Sequence, residues 1–336
     1  MTSTRVYAKA RSVAGLIAVA ILSCLVATTG LANEQVENRG ADTQNWWDKQ
    51  PHAQWAEFER LEAAGDWFEI YRISPHVYAL YEPGQFEEVI SFLIVGSERA
   101  LLFDTGLGIG DIQAEVKQLT TLDVMVLNSH THYDHVGGNY QFDQRWARDT
   151  AFGRERMNGL SHDQVAEAVQ AGWIWKLTPP GFDANSYTSK PWEFEGYVQE
   201  GMQIDLGGIS LEVIFTPGHA PDGISLLDRH NRMLFTGDTF YLAPLYSHLQ
   251  GSNFRDYVAS AAKLRSYQPL VDTLVTSHNV PTAEASYLGR LDDAMQSILA
   301  GDAKYVETDG AREYDFGRFS VITHNPPLGN TESDSP

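Results

Sequence analysis

Val124-Met125-Val126-Leu127-Asn128-Ser129-His130-Thr131-His132-Tyr133-Asp134-His135-Val136-Gly137-Gly138 is the stretch on which the reading of this chain turns. Its first four residues are apolar on both faces, as in a strand covered from both sides. His130 and His132 follow two apart, so in extended backbone they point the same way; Asp134 and His135 come as the chain turns. Four ligand-type side chains within six residues, at the C-terminal end of a buried strand, read as a site for a hard or borderline metal ion. A solvated loop has no reason to concentrate imidazoles.

Working outward, the chain alternates short β-rich runs with turn residues. Before the motif, Trp67–Ile73, His76–Tyr81, Val89–Val95 and Ala100–Phe103 are expected as strands. A helix is expected over about Ile109–Leu119, and an earlier one near Trp55–Ala64, ending at Gly65. After the motif, Ile209–Phe215, Ile224–Leu227, Met233–Phe235 and Leu274–Val275 read as strands, with helices near Phe254–Arg265 and Tyr287–Leu299. Two strand-rich halves, each carrying helices, predict an α/β fold of two packed sheets with helices outside. Between them, 143–207 is irregular and rich in Trp173, Trp175, Tyr187, Trp192, Phe194 and Tyr197. It is either a surface subdomain burying its own aromatics or a lid over a site.

Three further strand ends offer partners for the motif. Thr216-Pro217-Gly218-His219, Thr236-Gly237-Asp238 and Thr276-Ser277-His278 each follow an expected strand. With the motif they supply five histidines and two aspartates, enough to hold two metal ions. The only cysteine is Cys24, so the chemistry of the domain uses nitrogen and oxygen groups.

The chain here resembles the metallo-β-lactamase-fold hydrolases over about residues 67–280, through its His-x-His-x-Asp-His motif and through Asp104-Thr105-Gly106. The resemblance implies a four-layer αβ/βα sandwich with the site at the sheet edges. It implies that His130, His132 and His219 bind one metal, that Asp134, His135 and His278 bind a second, and that Asp238 bridges them. Asp104 would support the ligands from behind. Two divalent ions are implied, zinc first, with iron or manganese as alternatives. Such ions lower the pKa of a shared water toward neutrality, and one of them polarises the substrate oxygen. Asp134 would steer the nucleophile and pass a proton to the leaving atom.

Residue 238 bears on the branch. Dedicated β-lactamases of this fold would call for Cys or Ser there, whereas Asp is similar to the glyoxalase II, lactonase and phosphodiesterase branches. Tyr241, three residues on, is similar to the acyl-homoserine lactonases, in which a Tyr at that spacing hydrogen-bonds the substrate carbonyl; otherwise it packs at a strand end. These residues together predict a hydrolase of a lactone or related ester, with a β-lactam hydrolase or a phosphodiesterase as alternatives. His248, in Leu245-Tyr246-Ser247-His248, could wall the pocket and touch substrate. His52 and His76 are read as surface or core-edge residues, His162 and His230 lie in polar stretches, and His324 lies in the C-terminal tail. Ser277 stands where this family commonly has Gly before its last metal histidine.

The 336 residues carry 43% hydrophobic and 20% charged side chains, an ordinary globular composition, and a formal charge of −20. That charge repels phosphate backbones and argues against a nucleic-acid partner, leaving a small-molecule substrate. Arg5, Lys9 and Arg11 precede an apolar run from Val13 to Val26, then Gly30 and Ala32 at the −3 and −1 positions of a cleavage site. Residues 1–32 are expected to be an export signal, directing the chain to the periplasm or outside the cell. An uncleaved anchor, or lipidation at Cys24, would instead tie it to a membrane. The expected organisation is then a 33–66 extension, a 67–300 hydrolase domain and a 301–336 strand-like extension and tail. Oligomeric state leaves no mark in the sequence.

Overall fold

In a computed structural model of the chain, residues 50–308 and 310–327 are described. The expected export signal, Cys24 and half of the 33–66 extension, residues 33–49, lie outside the described residues, as does the tail from 328. The chain divides after Pro51, and the architecture that follows is that of the unit beginning at His52.

Two large sheets face each other. The first runs in sequence order through β1 (Glu59–Leu61), β2 (Glu69–Ser74), β3 (Val77–Tyr81), β4 (Ile90–Val95), β5 (Ala100–Phe103), β6 (Val124–Leu127), β7 (Arg145–Arg148) and β8 (Gly196–Val198). Its strands pair antiparallel as far as β5 and parallel from β5 to β8. The second contains β9 (Gln203–Asp205), β10 (Ser210–Phe215), β11 (Ile224–Asp228), β12 (Met233–Gly237), β14 (Thr273–Thr276) and β15 (Thr282–Glu284), in the order β15-β14-β12-β11-β10-β9. Strand β13 (Pro244–Ser247) belongs to a third, smaller sheet.

Alternation along the strands sends one face of each sheet into a shared core. Phe92 of β4 and Phe103 of β5 meet Phe235 of β12 edge-on, with ring centroids 5.8 and 6.2 Å apart. The outer face of the first sheet is covered by helix α1 (Ile112–Leu119), through Ile112 and Val116 packed with Leu93 and Leu102. The outer face of the second is covered by two 14-residue helices, Phe254–Tyr267 and Tyr287–Ala300. Helix, sheet, sheet and helix make the four expected layers. Among the described residues, no helix is long and apolar enough to cross a membrane.

Caps set the helix bounds. Helix α1 starts at Ile112, not Ile109, because Asp111 accepts from the amide of Ala114 at 3.0 Å. The helix expected at Trp55–Ala64 does not form. Ala53–Glu57 is a short 3₁₀ turn, and Glu59–Leu61 pairs antiparallel with β2. Trp55 is buried with its ring 4.4 Å from that of Tyr81, its indole donates to the carbonyl of Asn279, and the open edge of β2 takes up the next residues. Tertiary pairing outweighs helix propensity there.

Segment 143–207 is built into the first sheet. Strands β7 and β8 extend the first sheet, and backbone bonds stitch its middle to the β3–β4 loop: Phe86 donates to Trp173 at 2.9 Å and Trp175 to Gly84 at 3.0 Å. After the second long helix come β16 (Val306–Thr308), β17 (Ala311–Asp315) and β18 (Ser320–His324). With β13 they complete the third sheet, in the order β13-β18-β17-β16.

Candidate metal centre

The site sits where strand ends of the two sheets converge. Strand β6 stops at Leu127, and the motif folds back through one helical turn, Tyr133–Val136. The carbonyl of His135 accepts from the amide of Thr105 at 2.9 Å and from the side chain of Asn128 at 3.1 Å, closing the turn on the end of β5. Gly137 is required by close approach, since a Cβ there would lie 2.2 Å from the backbone of Leu107. A register shift between Phe235 and Gly237, the latter at φ +50°, turns Asp238 out of β12 toward the motif.

All seven expected ligands come together. His130 Nε2 lies 3.0 Å from His132 Nδ1, which lies 2.9 Å from His219 Nε2. On the other side, His135 Nε2 is 3.2 Å from Asp134 and 3.3 Å from Asp238, and His278 Nε2 is 3.1 Å from Asp238. Asp238 also reaches His219 Nε2 at 3.4 Å, so its carboxylate spans both clusters. Three groups have donor atoms within 4.8 Å of one another and could each hold an ion: His130, His132 and His219; His130, His135 and Asp238; Asp134, His135 and His278.

The opposite ring nitrogens are held by the protein, which fixes which nitrogen faces the centre. His219 Nδ1 meets the carbonyl of Tyr246 at 2.8 Å and His278 Nδ1 that of Glu87 at 2.7 Å. His130 Nδ1 lies 3.0 Å from the hydroxyl of Ser129. His135 Nδ1 lies 2.9 Å from Asp104, whose other oxygen accepts from the amide of Ser129 at 2.6 Å. Asp104 holds φ +68°, a left-handed conformation unusual for a residue with a side chain. Buried His135 Nε2 and Asp238 Oδ1 make no hydrogen bond among the described residues. Five imidazoles and two carboxylates aimed at one gap, two of them with an unmet lone pair, fit a pair of borderline divalent ions such as zinc.

Charge divides the centre in two. Burial, followed by the neighbouring imidazoles, pushes His130 and His132 well below the usual histidine range, and burial lowers His219 as well. These three rings are neutral donors at neutral pH. On the other side burial opposes charge, but the carboxylates overcome it. Asp134, Asp238 and Asp104 carry His135 well above its ordinary value, and Asp238 carries His278 up to about 9.

Tyr241 does reach the site, with its ring 4.8 Å from that of His278. Burial holds its phenol well above the usual tyrosine range. His248 is half-buried at the end of β13, its ring 5.8 Å from that of Tyr246, and burial lowers it to about 4. The carbonyl of Ser277 accepts from the amide of Ile90 at 2.7 Å, so the residue in place of Gly is built into a cross-strand contact.

Sequence reasoning missed Glu87. Its backbone orients His278, and its carboxylate accepts from Tyr133 of the motif at 2.5 Å. A carbonyl contact carries no residue-type signal, so nothing in the pattern marks it.

This fold and this donor set define a metal-dependent hydrolase. The chain matches the metallo-beta-lactamase superfamily over residues 86–278, more than half its length, and belongs to that superfamily. It is 29% identical over 219 residues to acyl-coenzyme A thioesterase MBLAC2 of Gallus gallus, covering 62% of this chain and 78% of the relative. It is 25% identical over 159 residues to hydroxyacylglutathione hydrolase GloC of Haemophilus influenzae, covering 46% and 68%. Among solved structures it is similar to the sec-alkylsulfatase Pisa1 of a Pseudomonas species, with a TM-score of 0.51 at 18% identity, covering 68% of this chain and 42% of that one. A metallo-beta-lactamase family protein of Thermus thermophilus gives 0.50 at 20% identity, covering 68% and 82%. At those identities the structural likeness speaks for the fold alone.

Proposed function

We propose that this chain is an exported dinuclear metallohydrolase that cleaves an acyl carbonyl compound, a thioester or a lactone-type ester. The observation that carries the reading is the seven-donor centre spanned by Asp238, with the Tyr241 ring beside His278. Export rests on the basic and apolar segment before Asn33.

When bound, two divalent ions supply a water of lowered pKa and a Lewis acid for the carbonyl oxygen. His130, His132 and His219 would hold one ion and Asp134, His135 and His278 the other, with Asp238, which reaches both clusters, as a shared ligand. Asp134 also takes the proton released on attack and returns it to the leaving oxygen or sulfur. Tyr241, kept protonated by burial, donates to the carbonyl oxygen as negative charge develops on it. Phe152, 5.8 Å from the ring of His132, lines the centre beside the ligands with an apolar ring.

Thioesters enter the reading because the acyl-coenzyme A thioesterase and the hydroxyacylglutathione hydrolase are sequence relatives. Lactones enter through Tyr241. A β-lactam substrate is the weaker alternative, since Asp238 stands where that chemistry calls for Cys or Ser.

The test is acid or thiol release from panels of acyl thioesters and lactones, with a chromogenic cephalosporin alongside. Zinc-loaded and chelator-stripped proteins are run in parallel. Zinc-dependent turnover of a thioester or lactone is expected. Equal rates with and without metal, or no turnover by fully metallated protein, would overturn the reading.

A further inference from the structure

Asp222 lies three residues after His219, outside the seven donors. It is 1% exposed, in the loop that leads from His219 into β11. Its Oδ2 accepts from the hydroxyl of Thr131 at 2.6 Å, and Thr131 is fully buried between His130 and His132. A second bond joins the same two segments, from the amide of Ile224 to the carbonyl of Ser129 at 2.7 Å. The three imidazoles at one end of the centre therefore hang on two loops, which the side-chain bond from Thr131 to Asp222 ties together behind the ligands.

The surroundings of Asp222 come from segment 143–207. Gly153 packs against it closely enough that a Cβ there would lie 3.4 Å from Oδ2 and 3.7 Å from the methyl of Thr131. Burial raises the Asp222 carboxyl above the usual carboxylate range, and Arg148 and Arg156, on the same segment, act against that rise. Arg156 is itself buried over the ring of Phe152, which meets His132 edge-on. A buried carboxylate is costly unless cations and donors compensate it. Local folding of a turn does not require a carboxylate at this place, because the Ser129–Ile224 backbone bond already joins the strands.

We infer that Asp222 is a positioning residue for the His130, His132 and His219 cluster, holding the two ligand loops at metal-binding distance through Thr131. Segment 143–207 packs against this tie through Gly153 and against His132 through Phe152. Asp222 touches neither ion nor substrate in this role; it acts through the backbone of the His130–His132 hairpin, as groups behind metal ligands do.

This inference rests on the metal reading above, and the test separates the two. Zinc affinity at each site is measured by chelator competition, and cobalt-substituted protein is followed by its visible d–d spectrum. The proteins are wild type, Thr131→Val, Thr131→Ser, Asp222→Ala and the double variant Thr131→Val with Asp222→Ala, with circular dichroism to check folding. Wild type that takes up no zinc would sink the metal reading itself. With wild type binding two ions, Thr131→Val is expected to weaken one site about 10- to 100-fold and to shift the cobalt spectrum, while leaving the other site in place. Thr131→Ser keeps the donor and should bind as wild type. The double variant should lose no more than the worse single variant, because both remove one bond. Wild-type zinc affinity in folded Thr131→Val, an equal loss in Thr131→Ser, or additive losses in the double variant would each overturn the inference. Should Asp222→Ala fail to fold, the Val and Ser pair at 131 decides alone.

Discussion

The imidazole of His135 stands between two carboxylates, with Nδ1 2.9 Å from Asp104 and Nε2 3.2 Å from Asp134. One ring thus joins the interior of the first sheet to the centre. Asp104 takes up Nδ1, which leaves Nε2 facing the centre. Removing Asp104 should therefore act on metal affinity more than on substrate binding. Asp104→Ala is expected to weaken zinc binding about 10- to 100-fold. Titration calorimetry of metal-free protein measures it, and unchanged affinity would deny Asp104 its supporting role.

Tyr241→Phe removes one hydroxyl and keeps the ring that lies against His278. The fold and zinc content should not change. If the phenol donates to the developing oxyanion, kcat should fall about 100-fold with little change in KM. A wild-type kcat would return Tyr241 to a packing role at the end of β12.

Glu82 predicts a pH-dependent stability. It is fully buried, accepting from the indole of Trp67 at 2.5 Å and from the amide of Leu107 at 2.9 Å. Burial raises its pKa to about 7 against those bonds, well above the ordinary carboxylate value near 4.5. Between those values the folded state binds a proton that the unfolded chain has lost, so this group's contribution to stability falls as pH rises. The loss should be on the order of 3 kcal/mol and complete above about pH 8. Urea unfolding of wild type and Glu82→Gln across pH 5 to 8 isolates it. The variant should gain on wild type as pH rises, and a pH-independent difference would refute the assignment.

Phe235 is the ring where the two sheets meet, in edge contact with both Phe92 and Phe103. Phe235→Ala leaves a cavity between layers and should cost about 3–5 kcal/mol. Its neighbour Gly237 shapes the turn to Asp238, so a looser core should also blur metal affinity. Denaturant melts with and without zinc would show both effects, and a loss under 1 kcal/mol would mean the core repacks.

The seven donors, the strands that carry them and the layered fold were legible in the sequence because each rests on local information. Period-two alternation marks a strand, a Gly or Pro marks its end, and imidazoles crowded at such an end have no cheaper explanation than a metal. Tertiary structure alone decided the rest. The 3₁₀ turn and strand at 53–61, the entry of β7 and β8 into the first sheet and the third sheet built by the C-terminal extension all depend on which edge lay open to pair. The same holds for Glu87, whose carbonyl orients His278, and for Asp222, which ties two ligand loops together. Backbone carbonyls are identical at every position, and a carboxylate's partner can be 91 residues away, as Thr131 is from Asp222. Contacts of that kind exist only once the loops have been brought together.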